Sequence, residues 1–160
     1  MAEAVKVDLL RASALGGELD DQEAQVLASI MSAESVADGD LVVAEGDSND
    51  ALFVLVDGKL AVTNVIEEKE TVVYTMTKGE CAGTRAFMDR SPRKATLRAS
   101  GPATVYALKP SRFETLLDSH PRIVYKVLRA LFRITHSNLM RMNQESQALT
   151  NYITRTHGRY

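Results

Sequence analysis

Apolar residues change their spacing along this chain, and each change marks a different kind of element. In LDDQEAQVLASIM, Val26, Leu27, Ile30 and Met31 share one helical face, and Asp20 and Glu23 stand ahead of them in capping-box spacing. A short helix packed on a core is expected there. From Asp38 the period shortens: DGDLVVAEGDSNDALFVLVDGKLAVTNVI alternates short β-branched runs with Asp-Gly and Gly-Asp turns, the spacing of consecutive hairpins. Asp57-Gly58 separates LFVLV from KLAVT, and EEKE makes a charged, solvated turn before TVVYTM. In ATLRAS, Ala95, Leu97 and Ala99 alternate with Thr96, Arg98 and Ser100, and ATVYAL follows a Gly-Pro turn, carrying the β region to about Leu108.

Helical spacing then returns. SRFETLL places Ser111 and Glu114 in capping-box spacing, and His120-Pro121 marks a corner into a second, longer helix. Arg122 to Ile153 contains neither Pro nor Gly. A continuous helix of about 30 residues runs about 45 Å, longer than a small barrel can cover. Leu128, Phe132, Thr135, Leu139, Met142, Ser146, Leu149 and Ile153 follow alternating steps of four and three, a coiled-coil seam with two polar interruptions. That pattern predicts a homodimer through the C-terminal helix; the alternative is a helix lying along its own barrel. TRTHGRY reads as a polar tail. The resulting division is an N-terminal extension at 1–14, a β-barrel with flanking helices at 15–120, the long helix at 121–153 and the tail at 154–160.

Composition narrows the function classes. The chain has 160 residues, 45% hydrophobic and 25% charged, which suits one globular core, and its formal charge of -2 provides no broad basic field for nucleic acid or membrane. A single cysteine, Cys81, excludes an internal disulfide framework and reads as a small buried filler. MAEAVKVDLLRAS lacks a signal-peptide core and no run approaches the about 18 apolar residues that span a bilayer, so a cytoplasmic location is expected. No Gly-x-Ser-x-Gly, His-Glu-x-x-His or Walker motif occurs, and His120, His136 and His157 are too scattered to form a ligand set. Neither a catalytic residue nor a metal site is predicted.

The stretch GECAGTRAFMDRSPRKATLRA, residues 79–99, is the most informative. A glycine-paced turn entering one helical turn aims backbone N–H groups at an anion, and Arg93 can supply the opposing charge. The alternative from local sequence is an exposed connection in which Gly79 and Gly83 make turns, Pro92 breaks the short helix, and Arg93 and Lys94 are solvated.

Taken together, the order helix, Gly-punctuated β-barrel, loop with Pro-Arg and long helix, over residues 15–153, resembles the cyclic nucleotide-binding domain family. This is the effector module of catabolite activator protein and of the regulatory subunits of cAMP-dependent kinase. The resemblance rests on DGDLVVAEGDSNDALFVLVDGKLAV, with Gly39, Gly46 and Gly58 at its turns, and on AGTRAFMDRSPRKAT, which falls on the family's phosphate-binding cassette. It implies a mainly β fold with flanking helices, an antiparallel double-stranded β-helix or jelly roll, plus a long C-terminal helix. It also implies a ligand site at Gly83, Thr84, Arg85, Ala86 and Arg93, with Lys94 beside it and Asn138 of the long helix as the purine contact. Two positions depart from the family pattern: Ala82 stands where it has Phe, and Thr84 where it has the Glu that accepts from the ribose 2′-hydroxyl.

Two functions follow as expectations. One is a stand-alone, bacterial-type regulatory sensor that binds cAMP, cGMP or another small anion and signals through its dimer helix to an unidentified regulated protein. The other is a domain whose cassette no longer binds nucleotide and which serves in dimerisation or protein interaction. After Ile153 too few residues follow for a helix-turn-helix, so direct DNA binding is not expected.

Overall fold

The structure, a computed structural model, describes residues 3–157. Eight strands form two four-stranded antiparallel sheets: β1 (Ser32–Val36), β8 (Ala103–Leu108), β3 (Leu52–Asp57) and β6 (Cys81–Ala82) in one, and β2 (Leu41–Val43), β7 (Thr96–Ala99), β4 (Leu60–Ile66) and β5 (Lys69–Met76) in the other, each in that spatial order. This is the expected mainly β jelly roll, built as two facing sheets rather than one closed barrel. Around them lie α1 (Val7–Ala12), α2 (Asp21–Ser29), α3 (Thr84–Asp89), α4 (Pro110–Glu114), α5 (Leu116–Ser119) and α6 (Pro121–His157).

Strand β3 explains why the chain has two cores. Its alternate residues part company: Phe53 and Leu55 join Val43, Leu60, Met76, Leu97 and Val105 between the sheets, while Leu52, Val54 and Val56 join Leu10, Leu27, Tyr106, Leu108, Phe113 and Val127 beneath the helices. Both faces are covered, so the strand reads as the unbroken apolar run ALFVLV rather than as an alternation.

The ends of the helices show which local signals operate. Asp20 caps α2 as expected, accepting from Glu23 N–H at 2.8 Å while the Glu23 carboxylate accepts from Asp20 N–H at 3.0 Å. The capping box expected at Ser111 does not form: α4 begins two residues earlier than that cap implies, with Pro110 as its first residue and Lys109 as N-cap. Proline's fixed φ supplies that start and the serine is already inside the helix. The stretch read as an N-terminal extension contains α1, whose Leu10 is fully buried. The long helix extends through His157, past the Ile153 boundary read from the sequence. Residues 158–160 of the predicted tail lie outside the described residues.

Helix α6 has two unlike halves. Ile123, Val124, Val127, Ala130 and Leu131 are buried in the helical core, and Lys126 pairs with Glu23 at 2.6 Å while Arg133 pairs with Glu18 at 2.5 Å. Beyond Ile134 every residue through Thr154 is exposed except Arg141, which is half-buried. The seam residues Phe132, Leu139, Met142 and Leu149 are more than half exposed, so this face does not lie against the chain's own sheets.

The β4–β5 hairpin turns at Glu67 and Glu68, with Ile66 opposite Lys69, and both glutamates hold positive φ, 52° and 67°. A two-residue turn of this twist favours Asn-Gly, because a β-carbon is strained there. Replacing Glu67→Asn and Glu68→Gly together is therefore expected to stabilise the fold by about 1 kcal/mol, raising the melting temperature by about 2–4 °C in a scanning calorimetry comparison. An unchanged or lower melting temperature would show that this tip is not strained.

Candidate functional site

The loop that raised the question of an anion folds around one buried cation. Strand β6 ends at Ala82, and Gly83 then takes φ 91° so that the chain can turn directly into α3. A β-carbon at Gly83 would overlap the Arg93 guanidinium, so the glycine is needed for close approach as well as for its backbone angle. The first turn of α3, Thr84 to Ala86, leaves N–H groups without intrahelical partners, and Phe87 N–H makes the first bond back to Gly83 O at 3.0 Å. Pro92 does not end this helix; Arg90 does, in the left-handed conformation at φ 57°.

Arg93 is anchored by its backbone before its side chain is considered. Its N–H donates to Asp47 O at 3.1 Å and its carbonyl accepts from Gly46 N–H at 2.9 Å. Glu45 N–H donates to Thr96 Oγ1 at 2.9 Å, which fastens the 44–50 loop a second time. The residue is 6% exposed, so Arg93 is not solvated as the exposed-connection alternative has it, although Lys94 is. Its guanidinium lies over the Phe53 ring, with Cζ 5.2 Å from the centroid, and Nη2 donates to the Ala51 carbonyl. Nε and Nη1 are buried with no hydrogen-bond partner, as is Ser91 Oγ nearby in the chain.

This is a costly arrangement in isolation. Burial lowers the affinity of Arg93 for its proton, and the charges of Asp50 and Asp47 offset that only in part. Among the described residues no carboxylate contacts the guanidinium directly, and the first turn of α3 carries no acidic residue, since Thr84 opens it. A cation held this way, with two donors uncommitted beside a helix start, is suited to an anion.

The structure thus gathers Gly83, Thr84, Arg85, Ala86 and Arg93. Lys94 is exposed at the surface, and so is Asn138, which stands on α6 one turn from both Ile134 and Arg141. Sequence reading gave no sign of Ala51 and Phe53, which meet Arg93 from about forty positions away. Cys81, two residues before Gly83, is half-buried rather than fully buried, and the desolvation of its thiol pushes the pKa up to about 12. Among the described residues there is no group of three metal-ligating side chains and no helix long and apolar enough to cross a membrane.

The family model for the cyclic nucleotide-binding domain matches residues 33–120. Among curated proteins, the chain is similar to a cGMP-dependent protein kinase of Eimeria tenella, 27% identical over 108 residues, and to a cAMP-dependent protein kinase regulatory subunit of Yarrowia lipolytica, 30% identical over 100 residues. Those matches cover 68% and 62% of this chain but only 10% and 26% of the relatives. Among solved structures, a cyclic nucleotide-binding domain from Methylobacillus flagellatus KT aligns at TM-score 0.78 and 22% identity, covering 87% of this chain and 79% of that one. Thermus thermophilus catabolite activator protein aligns at TM-score 0.74 and 21% identity, covering 86% and 63%.

The uncommitted donors yield a test that needs no ligand identity. Arg93→Met keeps the packing over Phe53 and removes the buried charge, so it is expected to raise the melting temperature without ligand by about 2–4 °C, the effect of about 1 kcal/mol. The same substitution should abolish any stabilisation by inorganic phosphate in a thermal-shift titration. A lower melting temperature in phosphate-free buffer would mark the guanidinium as a structural prop.

Proposed function

Because the chain belongs to the cyclic nucleotide-binding domain family, we propose that it is a non-catalytic regulatory protein that binds a cyclic nucleotide at Gly83–Ala86 and Arg93 and passes occupancy to a partner through α6. The observation that carries this reading is Arg93: a residue 6% exposed, with Nε and Nη1 buried and unpartnered, its guanidinium seated against Gly83, the N-cap of α3. The cyclic phosphate brings the charge that the pocket itself does not supply, and the first-turn N–H groups complete its coordination.

Thr84 sets the limit of that affinity. A neutral hydroxyl in place of a carboxylate forfeits most of a charge-assisted bond to the ribose 2′-hydroxyl, about 1.5–3 kcal/mol, or roughly ten- to a hundredfold. Phosphate recognition is kept and ribose recognition is weakened, so the ligand preference here rests on charge more than on the sugar.

The dimer belongs to the same proposal. The exposed face bearing Phe132, Leu139, Met142 and Leu149 repeats in steps that suit a two-stranded coil, with Thr135 and Ser146 as its polar positions. A second copy would cover it, and movement of α6 would then be felt by both chains. Leu139→Asp with Met142→Asp is expected to convert a dimer into a monomer in sedimentation at micromolar concentration; a wild-type monomer, or a dimer that survives both changes, would remove the seam from the interface.

Calorimetry tests the ligand. Wild type should bind cAMP or cGMP weakly, and Thr84→Glu should tighten binding by about ten- to a hundredfold. The gain should vanish with the 2′-deoxy analogue, which has no hydroxyl to donate. If neither protein binds at millimolar nucleotide with the sheets intact by circular dichroism, the interaction-module reading, favoured by Ala82 and Thr84, replaces this one.

A further inference from the structure

Strand β4 parts from β7 just where the arginine segment begins. The last residues opposite one another are Thr63 and Thr96, and Asn64 comes one position later, opposite Thr71 of β5. Its half-buried side-chain amide meets two carbonyl oxygens, Thr63 O at 3.1 Å and Lys94 O at 3.0 Å. Two acceptors at one end of an amide require its nitrogen there, so Asn64 Nδ2 donates to both. A side chain thus carries the connection between β4 and β7 one step past the main-chain ladder, to the residue after Arg93. The strand is shaped for it: the register with β5 shifts between Val62 and Thr63, and a bulge of this kind bends a strand and re-aims the side chains that follow.

What else holds Arg93 gives this contact its weight. The arginine's N–H and carbonyl bond to Asp47 O and Gly46 N–H, and Thr96 Oγ1 accepts from Glu45 N–H, so all three bonds reach one short turn. Glu45, Gly46 and Asp47 are exposed. The segment 93–96 is therefore tied on one side to a surface turn and on the other, through Asn64, to a strand whose Leu60 lies in the inter-sheet core. The guanidinium itself commits only Nη2, to the Ala51 carbonyl. A side chain this long turns a small tilt of its backbone into a larger displacement at Nε and Nη1, and a binding group works only within about 0.5 Å of its place.

We propose that Asn64 is a positioning residue of the anion site: by donating to Lys94 O it holds the arginine segment against β4 and keeps the free Arg93 donors aimed at the ligand's phosphate. The inference rests on the reading of Arg93 as the anion-binding group and adds to that site a residue that touches no ligand. Leucine at 64 has nearly the volume of the amide and neither of its donors, so it leaves Lys94 O unanswered without emptying the position. Thr63 provides the control. Its side chain lies on the other face of β4, where Oγ1 donates to Glu70 Oε1 at 2.8 Å, and valine has the same shape without that bond.

The test is calorimetry with inorganic phosphate and with cAMP on wild type, Asn64→Leu, Thr63→Val and Arg93→Met, joined to the solvent exchange of the Arg93 Nε–H followed by NMR. Asn64→Leu should weaken both ligands about three- to tenfold and speed the Nε–H exchange. Asn64→Ala, which removes the donors without adding an apolar side chain, should match it. Thr63→Val should lower the melting temperature yet leave both affinities within about twofold of wild type and the exchange unchanged. Affinities in Asn64→Leu and Asn64→Ala within about twofold of wild type, an equal loss in Thr63→Val, or an unaltered Nε–H exchange overturns the proposal. If Arg93→Met abolishes binding while both Asn64 variants keep it, only the positioning role is lost; if neither phosphate nor cAMP binds wild type, the anion reading falls with it.

Discussion

The guanidinium of Arg93, buried over Phe53 and against Gly83, is the constraint around which the rest of the site is arranged. A charge in that position requires three things of the fold. It needs a residue without a β-carbon at 83, a carbonyl at Ala51 turned inward rather than paired in the sheet, and a loop at 44–50 tied to the arginine's own backbone. Each is present, and together they hold the cation while leaving Nε and Nη1 uncommitted. A hydrophobic side chain would fill the same volume at lower cost.

Around that centre the molecule divides its labour. The two sheets hold the cassette, the N-terminal helices and the first half of α6 share the second core, and in the outer half of α6 the Arg141 guanidinium lies over the Tyr74 ring of β5. Strength of attachment therefore falls along α6, from fully buried Val127 through half-buried Ile134 to the surface.

Much of this was legible in the sequence where the signal was local. The Asp20 cap, the Asp57-Gly58 turn, the uninterrupted run from Arg122 and the cassette spacing from Gly83 to Arg93 are each set by residues within one or two turns of each other. Ser111 misled because proline one position earlier is the stronger start signal. Phe53, Ala51 and the Tyr74–Arg141 pair were invisible for a different reason. Their partners are 40 to 67 positions away, and an aromatic residue in a strand looks the same whether it fills a core or carries a cation. The exposed seam on α6 was readable as a period, whereas the half-burial of Arg141 on the opposite side required knowing where β5 lies.

Strand β3 carries a consequence for how the chain finds its register. A strand with one wet face is aligned by polarity, because a slip of one residue exposes its apolar set. Residues 52–56 have no such guide: both faces are apolar and buried, and a one-residue slip would merely exchange Phe53 and Leu55 with Leu52, Val54 and Val56 between the two cores. What distinguishes the two alignments is shape rather than solubility. Gly58, at φ 82° and so close to the Pro102 carbonyl that no other side chain fits, fixes where the strand ends. Misaligned β3 would be as water-shy as the native strand, so the alignment is set by a glycine at the corner and by the fit of a phenylalanine beneath an arginine.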